Sequence, residues 1–227
     1  MTAKISKPRA APVRSASAKA AAVRDPQVKN TRNNILKAAT KVFARYGYEG
    51  GSVEKISSAA KSFDRMIYYY FGSKEGLYLA VLEESYRKMR QIEGELQLDD
   101  LEPEQALRTL VEFTFDHHRS NEDYIRLVMN ENIERGAYLM QSKTIRELNV
   151  PAIQAIERLY ARGLKSGVFR AGVDPVDIHA SISALSFFNV SNRHSFGLIF
   201  KAQDPQGEAG ALRRASVTDM VLRFVGR

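Results

Sequence analysis

The sequence predicts an all-α chain in two units: a three-helix helix-turn-helix domain near the N-terminus, then a C-terminal helical bundle. Three observations predict it. Apolar residues recur at helical spacing from Ile35 to Phe224. Gly, Ser and Asp-Pro signals punctuate those stripes where helices stop and start. Two short helices joined by a tight turn follow a longer support helix, which is the anatomy of a helix-turn-helix.

Residues 1–29 come before the first stripe. They are rich in Ala, Ser, Pro, Lys and Arg, with Asp25 the single acid and Ile5, Val13, Val23 and Val28 the large apolar residues. Such a segment buries too little to offset its ordering entropy, so it reads as a disordered basic arm. A transit peptide shares this bias and is the alternative.

The first helix begins near Asn30 or Thr31, either of which can cap it. Ile35, Leu36, Ala39, Val42, Phe43 and Tyr46 form its stripe, and Gly47 suits its end. Ser52 caps a short second helix to about Ala60, with Val53, Ile56 and Ala60 inward. A turn over Lys61-Ser62-Phe63-Asp64 leads to a third helix that Gly72 ends after Phe71. At about 100° per residue, Ile67 and Phe71 share the inward face. Arg65 and Tyr69 point away, Tyr68 and Tyr70 lie on the flanks, and Met66 falls between Tyr69 and Tyr70. Three consecutive tyrosines span about 200° of the wheel, so they cannot all face one core. An exposed Arg, Met and Tyr face suits a DNA groove: Arg forks onto guanine, Met and Tyr pack on thymine methyls, and hydroxyls bond phosphates.

Charge placement agrees. Residues 1–74 carry fifteen Lys/Arg and four Asp/Glu, a net +11, while residues 75–227 net −3. That asymmetry points to a polyanion at one end, nucleic acid first and an anionic membrane surface second.

These residues carry a resemblance. Thr31-Arg32, Ile35-Leu36, Ala38-Ala39, Phe43, Gly47-Tyr48, Ser52-Val53, Ile56, Ala59-Ala60 and the run Ile67 to Glu75 resemble the DNA-binding domain of the TetR/AcrR family of bacterial transcriptional regulators. The match covers about residues 31–82 without gaps. The resemblance implies a two-domain homodimer that usually represses transcription. It also implies DNA contacts at Ser52, Lys55, Arg65, Met66, Tyr68, Tyr69, Tyr70 and Lys74. Two positions depart from the pattern. Lys61 stands where Gly is usual, and a left-handed conformation there costs a non-Gly residue roughly 1 kcal/mol. Phe63 stands where a small polar cap is usual, so Ser62 or Asp64 can cap instead; Asp64 can also read a cytosine or hold Arg65.

The bundle follows. Ser73 caps a long fourth helix, Lys74 to about Gln97. A fifth runs from Glu104 to Arg119, with Leu107, Leu110, Val111, Thr114 and His118 on one face. A sixth, Glu122 to Arg135, is apolar on several sides and expected to be central. A long helix from Ser142 to Ser166 carries a possible kink at Pro151. Asp174-Pro175 starts a helix to about Phe200, and the last covers Glu208 to Phe224 with Val217, Met220, Val221 and Phe224 on one face. The final two helices are expected to form the dimer surface. Phe187-Phe188-Asn189 through Phe196 resembles TetR members that control catabolism of pyrimidine- and nicotinate-like heterocycles.

The chain has no cysteine, and no phosphate loop, dinucleotide fingerprint or nucleophile elbow. His117, His118, His179 and His194 lack a zinc-helix spacing. No cofactor, metal or catalytic residue is expected, and no apolar run approaches the ~20 residues that span a bilayer. Polar residues on otherwise apolar helices, Asn130 and Glu131, Asn189 and Arg193, read as capping, interface or core hydrogen bonds on one view. On the other they orient a ligand, with Tyr124, Phe187 and Phe188 as pocket walls.

The expected organisation is an arm over 1–29, a DNA-binding domain over 30–76 and a ligand-binding and dimerisation domain over 77–227. The expected function is a cytoplasmic repressor, released from a palindromic double-stranded operator by a small heterocyclic inducer. A same-fold dimeric DNA-binding protein without a ligand, in a nucleoid or division role, is the alternative; a helical enzyme with a basic patch is the remaining class.

Overall fold

The computed structural model describes residues 26–201 and 207–227, and these form ten α-helices with no strand among them. They are α1 (Pro26–Gly50), α2 (Val53–Ala59), α3 (Asp64–Phe71), α4 (Lys74–Gly94), α5 (Pro103–Ser120), α6 (Glu122–Ile133), α7 (Lys143–Ser166), α8 (Pro175–Ser191), α9 (Arg193–Phe200) and α10 (Gly207–Val225). Most of the expected basic arm, residues 1–25, lies outside the described residues. The first helix already begins at Pro26, whose fixed φ suits a first turn. Asn30 and Thr31 therefore lie inside the helix and do not cap it.

Gly47 takes φ 69° and kinks α1, ending the regular ladder one turn before Gly50. Tyr46, expected in the buried stripe, is exposed. Ser52 caps α2 by accepting from Lys55 N at 3.3 Å, and Ser73 caps α4 by accepting from Gly76 N at 2.9 Å. Lys61 does take the left-handed conformation, with φ 50°.

The apolar residues form two clusters. The first joins Ile35, Ala39, Phe43, Ile56 and Ile67 to Leu77, Tyr78 and Val81 of α4, and also takes Leu127 of α6 and Ile145 of α7. Packing is thus continuous across the expected boundary at 76–77. The second cluster lies among α5, α7, α8 and α10, centred on Leu107, Val111, Phe115, Ile156, Ile178, Val217 and Val221.

α7 runs as one helix with Pro151 inside it, as expected, but one helix differs from expectation. The single helix expected from Asp174 to Phe200 is two, broken at Asn192 (φ −105°, ψ 2°). There the Asn192 side chain accepts from Ser191 Oγ at 2.7 Å, and Ser195 Oγ donates to the Asn192 carbonyl at 3.2 Å.

Candidate DNA-binding surface and ligand chamber

α3 is seated by Ile67, which is fully buried, and by Phe71, beneath the Arg32 guanidinium. Tyr68 and Tyr69 are 53% and 56% exposed, and Arg65 is exposed on the same outer side. Arg65 lies over the ring of Phe63, itself 71% exposed, with its guanidinium carbon 5.3 Å from the centroid. Stacking of this kind holds a guanidinium in place while leaving its N–H edge open.

Met66 differs from the wheel reading, while Tyr70 lies on the flank where the wheel puts it. Both are half-buried against the first cluster, and Tyr70 meets Tyr69 edge to face at 5.0 Å. Methionine's flexible thioether lets it fold back onto a core that a rigid wheel points it away from. Asp64 neither caps nor reaches Arg65. Its Oδ1 accepts from Ser57 Oγ and ties α3 to α2, and Phe63 at the cap position supplies no side-chain bond.

Lys55 and Lys74 stand on either side of the α1 terminus. Lys55 Nζ donates to Gly50 O at 2.8 Å and sits over Tyr46; Lys74 Nζ sits 4.4 Å over Tyr48 and donates to Glu49 O at 3.4 Å. Both cations are thus parked on surface aromatics and carbonyls beside α3. Tyr46, Phe63 and Arg32 belong to this surface too. The sequence signal for them was their aromatic or cationic type next to the predicted turn.

Behind this surface, α4, α5, α6, α7 and α8 enclose a chamber of about 200 Å³. Its polar lining includes Arg90, Glu93, Thr114, His118, Asn149 and His179; Tyr86, Tyr124 and Phe187 supply aromatic walls. The His118 Nδ1 is buried with no hydrogen-bond partner among the described residues. Burial pushes His118 down to about 4, helped by His117, Arg90 and His179 nearby. His179 is lowered by burial and by Arg90, so both imidazoles are neutral. Burial raises the Tyr124 hydroxyl, as does neighbouring Tyr86.

The expected pocket residues do not converge. Tyr124 and Phe187 line the chamber. Asn130 instead donates to Phe43 O at 3.1 Å, across to α1. Glu131 is fully buried and accepts from Tyr138 N at 3.2 Å and Leu139 N at 3.0 Å, holding the turn after α6. Arg193 pairs with Glu122 at 2.8 Å. Asn189 accepts from Arg213 of α10 at 3.0 Å, and Phe188 stacks edge to face with Phe196. Each of the four side chains meets a protein partner through at least one atom, with Glu131 Oε1 left buried and without a hydrogen-bond partner among the described residues, so the capping, interface and core reading describes them better than the pocket reading. Of the residues that line the chamber instead, only Thr114 and His118 carried a sequence signal, as polar positions on an otherwise apolar face of α5.

Residues 35–81 match the family model for bacterial regulatory proteins, tetR family, and residues 103–221 match that for the tetracyclin repressor-like C-terminal domain. The chain is 38% identical over 205 residues to the HTH-type transcriptional repressor NicS of Pseudomonas putida, covering 90% of this chain and 97% of that protein. Among solved structures, a tetR-family regulatory protein from Rhodococcus RHA1 superposes with a TM-score of 0.66 at 17% identity, covering 86% of this chain and 97% of that one. The fatty acid degradation regulator FadR of Bacillus halodurans gives 0.60 at 21%, covering 84% and 97%. These two likenesses establish the fold.

Proposed function

Since the chain belongs to the TetR family, and is a DNA-binding transcriptional regulator, we propose that it is a homodimeric repressor released from its operator by a small planar inducer held in the inner chamber. The observation that carries this is the course of α4. Lys74 begins that helix at the DNA-facing surface, and Tyr86, Met89, Arg90 and Glu93 further along it line the chamber. One helix therefore borders both sites, which gives a shift of α4 a route to bias both. The near full-length identity to a protein named as a repressor supports repression.

On this reading Arg65, Tyr68 and Tyr69 enter the major groove, Arg65 reading a guanine edge. Ser52, Lys55, Tyr70 and Lys74 position the phosphates, and Met66 seats the helix. The dimer forms through α8 and α10, which carry outward Val176, Phe188, Leu212 and Met220. A two-fold protein then reads a two-fold site. A ligand that prefers the conformation with mis-spaced α3 helices shifts the population off DNA; coupling of about 1–3 kcal/mol is typical and suffices for induction.

Selection from random duplexes, followed by titration of the selected site with and without chamber-binding compounds, tests the proposal. Enrichment of a symmetric site and weakening of binding by a chamber ligand are expected. Enrichment of no symmetric site overturns the operator reading. A symmetric site whose affinity no chamber ligand alters leaves a ligand-independent regulator of the same fold.

A further inference from the structure

An open groove of about 710 Å³ runs between α4 and α7, and Arg90, Glu93 and Leu110 line both this groove and the inner chamber. The partition between the two spaces is therefore largely an ion pair. Arg90 Nη1 donates to Glu93 Oε2 one turn along α4, and the two side chains are 11% and 12% exposed. From the other side, Arg90 Nε donates to Oδ1 of Asn149 at 2.9 Å. Asn149 is fixed in turn by donating to Ile145 O at 2.7 Å. Arg90 is thus anchored to α7 independently of Glu93.

We propose that Glu93 is a resident stand-in for a ligand carboxylate: a monocyclic aromatic carboxylate enters through the α4–α7 groove, displaces Glu93 from Arg90 and places its ring in the chamber. This rests on the reading that the chamber takes the inducer. Chamber size sets the ring count, since an apolar cavity of about 150 Å³ accommodates benzene. Chamber chemistry sets the charge. His118 and His179 are neutral, so Arg90 is the one cation on the described lining, and a desolvated guanidinium is matched best by a carboxylate. Glu93 can leave because it also borders the groove, where Arg87 and Arg158 lie. The Tyr86, Tyr124 and Phe187 rings offer faces and edges to an aromatic ligand, and the unpartnered His118 Nδ1 can meet a ring nitrogen or substituent.

The test is titration calorimetry of the full chain with benzoate and the pyridine monocarboxylates, each paired with its neutral amide. The acids are expected to bind at least about tenfold more tightly than the amides, roughly 1.4 kcal/mol. Arg90→Gln should erase that preference, and Glu93→Gln should tighten the acids several-fold without altering the amides. If Arg90→Gln fails to fold, the Glu93→Gln result carries the test. Equal binding of acids and amides to the wild type, or an acid preference that survives Arg90→Gln, overturns the exchange. Phe187→Trp separates the two readings by filling the chamber. If it abolishes binding of acids and amides while the exchange test fails, the chamber reading stands alone. If it leaves both intact, the ligand lies elsewhere and both readings fall. A wild type that binds none of the probes overturns the proposed ligand class.

Discussion

Asn130 on α6 donates its side-chain N–H to the carbonyl of Phe43 on α1 at 3.1 Å, a bond that joins the bundle directly to the DNA-binding helices. Arg126, one turn earlier, donates Nε to the adjacent Ala44 O at 3.0 Å. Both carbonyls belong to the last regular turn before the Gly47 kink, where a helix runs out of its own N–H donors. The kink and the two side-chain donors therefore form one device, which fixes the end of α1 to α6.

That device should transmit the ligand signal. Asn130→Ala is expected to lower stability by about 1 kcal/mol, the ordinary worth of such a bond. DNA affinity without ligand should stay within about threefold, but the ligand-dependent loss of affinity should shrink. DNA titrations of wild type and variant with a confirmed chamber ligand measure this; an unchanged response would show that the signal bypasses α6.

The outer face of α3 separates reading from folding. Arg65→Ala and Tyr69→Ala should each weaken specific binding by about 1–3 kcal/mol and leave the melting temperature near wild type, since neither side chain seats the helix. Ile67→Ala should instead destabilise the fold by roughly 2–5 kcal/mol, because it empties a fully buried site. Lys55→Ala and Lys74→Ala should weaken binding to any duplex and each lower the salt slope by about 1. Equal losses on specific and random DNA for Arg65→Ala would remove it from base reading.

Helix positions and the inward faces of α2, α3 and α5 were legible because burial imposes a period on the sequence, and Ile67, Ile56 and Leu107 obey it. The chamber was not legible to the same degree. Asn130 meets a carbonyl 87 positions away, and no local pattern distinguishes that bond from a ligand contact. Arg90 and Glu93 sit at i and i+3 on α4 and look like any surface pair. Only the packing of α7 and α8 over them makes them a buried partition. Ser191, Asn192, Arg193, His194 and Ser195 form a polar interruption in the apolar run, and the break between α8 and α9 falls inside it.

The dimer face is testable through Leu212 and Met220 on α10. Both project outward, Leu212 at 65% exposure, while Val217 and Val221 of the same helix fill the second core. Leu212→Glu and Met220→Glu should leave the protomer folded and shift it to monomer in sedimentation, with operator affinity falling as the second half-site is lost. Dimers that persist with both glutamates present would place the interface off α10.

Acid stability should report on His118. Its folded value, about 4, is depressed from the ordinary 6.5 by burial first and then by His117, Arg90 and His179. For a base depressed on folding, the unfolded chain takes up the proton first as pH falls. The native state is thus favoured fully above about pH 6.5, and that stability is lost as pH drops from 6.5 towards 4, by up to roughly 3 kcal/mol. His117 and His179 are lowered by burial and by Arg90, so they steepen the same limb. Urea unfolding of wild type and His118→Gln across pH 4–8 tests this. The variant should lose stability less steeply below pH 6.5, since glutamine takes up no proton in either state. Parallel curves for the two proteins would mean that His118 is solvated or finds a partner for its charged form, and the neutral chamber that the ligand argument assumes would have to be abandoned.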